Sequence, residues 1–96
     1  MLFYPFKAGR KAVQTKRLSI DKQLHLGWSL LYELEALDDM SPVDILERLN
    51  TTAQCMANIR THRRLSINQQ EKLINLEKWY QSYDINRVQK DINNQN

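Results

Sequence analysis

Apolar positions recur at spacings of three and four along most of the chain after residue 18, which is the signature of helices burying one stripe each. Ser19 can cap a first helix, predicted to run to about Asp38. At roughly 100° per residue, Ile20, Leu24, Leu26, Leu30, Leu31, Leu34 and Leu37, with Trp28 at the margin, cover more than half the circumference. A helix apolar over so wide an arc belongs at the centre of the fold. Glu35 falls inside that arc, so it sits at an edge or is paired. The short Asp39-Met40 connection requires the next helix to double back.

Ser41-Pro42-Val43-Asp44 is a legible start: a capping serine, a proline at the first helical position, and an acid at the third. Ile45, Leu49, Ala53, Met56 and Ile59 then hold one stripe, and Arg60 and Arg63 occupy its continuation. Ser66 with Gln69 forms a capping-box pattern ahead of Leu73, Leu76, Tyr80 and Tyr83, flanked by Ile74 and Trp79. Asp84 can cap a last short segment carrying Ile85, Val88 and Ile92 before the polar end Asn93-Asn94-Gln95-Asn96.

Residues 1–17 show neither helical nor strand periodicity. They read as an arm, with the aromatic cluster Leu2, Phe3, Tyr4, Phe6 around Pro5, then a polar basic stretch. The expected architecture is all-α: a three-helix antiparallel bundle over residues 18–92, an irregular N-terminal arm over 1–17, a short C-terminal helical segment, and a flexible tail at 93–96. Only two glycines and two prolines occur, too few for the tight turns of an all-β domain.

At 96 residues with 42% hydrophobic and 26% charged positions, the chain is an ordinary single globular domain. The lone Cys55 excludes an internal disulfide framework and favours a reducing, cytoplasmic setting. The opening six residues are too short an apolar run for a signal peptide, and no apolar run is long enough to span a membrane, so neither export nor membrane insertion is expected. Net charge is +3, yet unevenly spread: residues 1–22 carry six Lys/Arg and one acid, 23–50 one Arg and six acids, and 51–96 seven basic and four acidic residues. Two basic ends flank an acidic middle.

Catalytic patterns are missing: there is no glycine-rich phosphate loop, no paired Cys or His at ligand spacing, and no nucleophile elbow. His25 reads as a solvated margin residue and Cys55 as an inert core thiol. His62 stands among cations in Arg60-Thr61-His62-Arg63-Arg64, which discourages a metal there. No enzyme activity, cofactor or metal site is expected.

The sharpest functional pattern is residues 44–65, which resemble a helix-turn-helix: apolar anchors Ile45 and Leu49, a turn at Asn50, and anchors Met56 and Ile59. The resemblance implies a DNA-binding regulator in which Gln54, Asn58 and Arg60 face a major groove and Arg63 and Arg64 lie near phosphates. Leu46 departs from the motif, which usually has a small residue there. The same stretch also reads as one continuous helix from Pro42 to Arg64, because the apolar stripe passes through the supposed turn without changing phase.

The leading expectation is a small non-enzymatic regulatory or accessory protein that binds, and in doing so can inhibit, another protein. Phe3, Tyr4, Phe6, Lys7, Arg10, Lys11, Lys16 and Arg17 are the expected contact residues, with Trp79 and Tyr83 as further apolar interface groups. Nucleic-acid binding through the basic arm is a third reading, and opposite charge blocks would also suit a homodimer.

Overall fold

A computed structural model describes residues 18–83 and 85–94. Among them the chain forms four helices and no strand: α1 Ile20–Ala36, α2 Pro42–Arg60, α3 Ile67–Gln81 and α4 Ile85–Asn94. The arm at residues 1–17, and with it every predicted protein-contact residue from Phe3 to Arg17, lies outside the described residues, as does Asp84.

The three predicted serine starts are built as capped helix termini. The Ser19 hydroxyl accepts from Lys22 N at 3.2 Å and the Ser41 hydroxyl from Asp44 N at 3.2 Å. Pro42 occupies the first turn of α2, where its missing N–H costs nothing. At Ser66 the full box is closed: Gln69 N donates to the serine hydroxyl at 3.0 Å, and Ser66 N donates to Gln69 Oε1 at 3.0 Å. Gln69 Nε2 then reaches Asp21 Oδ1 at 3.1 Å, so one side chain closes the cap of α3 and ties it to the first turn of α1.

Two expected ends move. α1 stops at Ala36 rather than near Asp38, and Leu37 leaves the helix in an extended conformation, 48% exposed instead of buried. The C-terminal segment is longer than a frayed end: α4 includes Asn93 and Asn94 and packs along α2, with Ile85 and Val88 against the core. A ten-residue helix is marginal alone in water, so this packing is what sustains it.

α2 touches each of the other three helices. Arg48, early in α2, donates through Nε to Glu33 Oε1 late in α1 at 2.9 Å, as a doubling back requires. α1 and α3 meet start to start through Asp21 and Gln69, and end to end where Tyr83 OH donates to Glu35 Oε1 at 2.8 Å. Glu35 is therefore an exposed edge residue with a partner. Between these points Gly27 is buried against Leu76, where a Cβ would lie 2.7 Å from a Leu76 methyl.

Leu24, Leu31, Leu49, Met56, Ile59, Leu73 and Leu76 form the core. Burying each stabilises the fold by about 1.5–3 kcal/mol before the cost of ordering it. Two polar side chains share this interior. Thr52 is fully buried with its hydroxyl donating to Arg48 O at 2.8 Å, and Gln23 donates through Nε2 to Leu18 O at 3.0 Å while its Oε1 has no partner among the described residues.

Candidate interaction surface

α2 runs without interruption through Asn50, and this corrects the helix-turn-helix geometry for residues 44–65. Asn50, Thr51 and Thr52 are poor helix formers by only tenths of a kcal/mol each, and burying Leu49, Thr52, Cys55, Met56 and Ile59 on one face outweighs that deficit. Both threonine hydroxyls bond carbonyls one turn back, Thr51 to Glu47 O at 3.0 Å and Thr52 to Arg48 O, so both are satisfied within the helix. The continuous helix ends at Arg60, four residues short of the predicted Arg64, where Thr61 closes the last turn by donating from Oγ1 to Asn58 O at 2.7 Å.

The five residues of the expected DNA-reading set separate accordingly. Gln54 donates from Nε2 to Asn58 Oδ1 at 3.0 Å, so these two polar groups satisfy one another along α2. Arg60 forms an ion pair with Glu77 of α3. Arg63 and Arg64 are exposed in the 61–66 connection, beside exposed Thr61 and His62.

That connection leads into the start of α3, which the Gln69–Asp21 bond holds beside the start of α1. Residue 18, to which the arm is covalently joined, therefore emerges at the end of the molecule that carries Arg63 and Arg64. The point where the arm joins the bundle and the Arg63-Arg64 pair, some 45 positions apart in sequence, thus lie at one pole. The far pole, at the α1–α2 connection, is acidic: Asp38, Asp39 and Asp44 are exposed there with Leu37 and Val43, the latter two 48% and 52% exposed. Among the described residues, exposed Arg63 and Arg64 thus stand at one end of the molecule and exposed Asp38, Asp39 and Asp44 at the other.

The expected interface aromatics are used internally. Trp79 packs on Trp28 with ring centroids 4.9 Å apart at 51°, and Tyr83 is engaged with Glu35. Burial, with the hydrogen bond and negative charge of Glu35 adding to it, pushes the Tyr83 phenol up to about 12, against an opposing effect of Trp79. Burial pushes the Cys55 thiol up to about 11, which makes it a poor nucleophile. His25 is exposed and, with Asp21, Leu24, Trp28 and Lys72, lines an open cleft of about 340 Å³ between α1 and α3. Among the described residues no group of three or more His, Cys, Asp or Glu could hold a metal ion, and no helix is long and apolar enough to cross a membrane.

No family model matches the chain, and no curated protein and no solved structure matches it.

Proposed function

We propose that the protein is a small non-enzymatic regulatory or accessory factor that acts by occupying another protein through its basic pole. The observation that carries this reading is the convergence of the arm's point of attachment with Arg63 and Arg64 at one end, while Asp38, Asp39 and Asp44 stand at the other. Such a pole suits a partner with an acidic surface. In this reading α1, α2 and α3 are an up-down-up antiparallel bundle that serves as a rigid mount, and α4 is laid along α2. Phe3, Tyr4 and Phe6 supply apolar anchors, and Lys7, Arg10, Lys11, Lys16 and Arg17 extend the basic surface. A cytoplasmic setting is supported by the lone thiol, Cys55, held in the core.

A second reading, contact with nucleic-acid phosphates by the same pole, is favoured by the exposure of Arg63 and Arg64 and needs no recognition helix. The experiment that separates the two is affinity capture with the full chain, wild type and Arg63→Ala/Arg64→Ala, with and without nuclease. A protein retained after nuclease and lost in the variant supports the leading reading. Retention of nucleic acid alone, released steeply by salt, supports the second.

A further inference from the structure

α3 carries a face that the described helices leave uncovered. Ile67, Glu71, Ile74, Lys78 and Gln81 follow at spacings of four and three, and all five are exposed, Ile67 at 77% and Ile74 at 50%. This is the spacing of a helix-pairing seam. On the same helix Leu73 and Leu76 are already buried in the core, so Ile67 and Ile74 lie on a second face, interleaved with Glu71, Lys78 and Gln81. Isoleucine is a poorer helix former than the Gln, Glu and Lys around it, so at these positions it contributes little until something covers it.

The charges on the seam indicate what that is. Glu71 and Lys78 lie symmetrically about the point between Ile74 and Asn75. A second α3 laid antiparallel across that point would oppose each Glu71 to a Lys78, and bring Ile74 within one residue of its own copy. A parallel pairing would set Glu71 on Glu71 and Lys78 on Lys78, and would bring both Arg63-Arg64 poles together. We propose that α3 pairs antiparallel with α3 of a second copy across a two-fold axis beside Ile74, with Glu71 facing the partner's Lys78. The pairing puts the two basic poles at opposite ends of the dimer, so it does not depend on what those poles bind. A single 15-residue helix face buries less than the roughly 1,600 Å² of a standard stable interface, so the dimer is weak, of roughly micromolar order.

The test is sedimentation equilibrium of the full chain at low salt over a wide concentration range. Wild type should show a monomer–dimer equilibrium. Ile74→Asp should be monomeric, with the helical melting curve of the wild type at dilutions where that too is monomeric, because the side chain is exposed. Glu71→Lys and Lys78→Glu should each weaken the dimer about tenfold, from two lost ion pairs and the repulsion replacing them. The double variant Glu71→Lys/Lys78→Glu should recover the wild-type affinity. A wild type monomeric throughout, a dimer that survives Ile74→Asp, or a charge swap that fails to recover would each overturn the proposal.

Discussion

Replacing Gly27 by Ala sets two effects of similar size against each other, and the geometry decides between them. In a helix interior Ala is better than Gly by about 1 kcal/mol, so on propensity alone the variant should be stabilised. The added Cβ, however, would lie 2.7 Å from one Leu76 methyl and 3.4 Å from the other. The first distance is nearly an ångström inside the optimal carbon–carbon separation of about 3.5–4.0 Å. The methyl ends a flexible side chain, but Leu76 is completely buried, so it has no open rotamer to retreat into. Overpacking of this kind costs about 1–3 kcal/mol, which leaves a net loss of about 1 kcal/mol. For a domain of this size that lowers Tm by roughly 4–8 °C. Denaturant unfolding gives the sign directly, through the midpoint at unchanged slope. Leu76→Val in the same chain should relieve part of the clash, making the double variant less destabilised than the sum of the singles by on the order of 1 kcal/mol. A Gly27→Ala variant that is more stable than wild type would mean that α1 and α3 do not approach at this glycine.

Ser66→Ala should cost about 1 kcal/mol in denaturant unfolding through loss of the α3 cap. Gln69→Glu keeps an ordinary capping-box residue yet should also lose about 1 kcal/mol, because it replaces the bond to Asp21 with carboxylate facing carboxylate; acidification should recover much of the loss. Cys55 should react with a thiol reagent at mildly alkaline pH only as fast as the protein opens, and promptly in denaturant. Cys55 and Tyr83 both hold their protons more tightly folded than unfolded, so their contribution to stability is complete below about pH 9. It should be lost between there and about pH 12, as the unfolded chain ionises first. Unchanged stability across that window would contradict their burial.

The helix starts were legible because each is a local event: a serine, its third neighbour and one hydrogen bond. The first end was not, because Leu37 continues the apolar arc in phase and only the geometry of the α1–α2 connection pulls it out. Thr52 and Gln23 escaped a hydrophobicity pattern because each carries a polar group that finds a backbone carbonyl within five residues, which lets it enter the core. Helix α4 could be suggested from Ile85, Val88 and Ile92, but its docking on α2 is a tertiary matter. The functional surface divided the same way. The density of cations in the arm and at Arg60-Thr61-His62-Arg63-Arg64 is plain in the chain, whereas the Arg60–Glu77 pair and the Gln54–Asn58 bond appear only once α2 and α3 are placed. Trp79 looked like an interface residue because a large aromatic at a helix margin has no partner until the fold supplies Trp28.

The account turns on the basic pole as the place where a protein partner docks. A photo-crosslinking side chain introduced at position 64 in the full chain tests it directly, with the same group at position 37, on the acidic pole, as the control. The account predicts a discrete protein adduct from position 64, lost when Lys7, Arg10, Lys11, Lys16 and Arg17 are changed to Gln, and no such adduct from position 37. Adducts from position 64 that are nucleic acid alone, or a protein adduct formed equally from both poles, would contradict it.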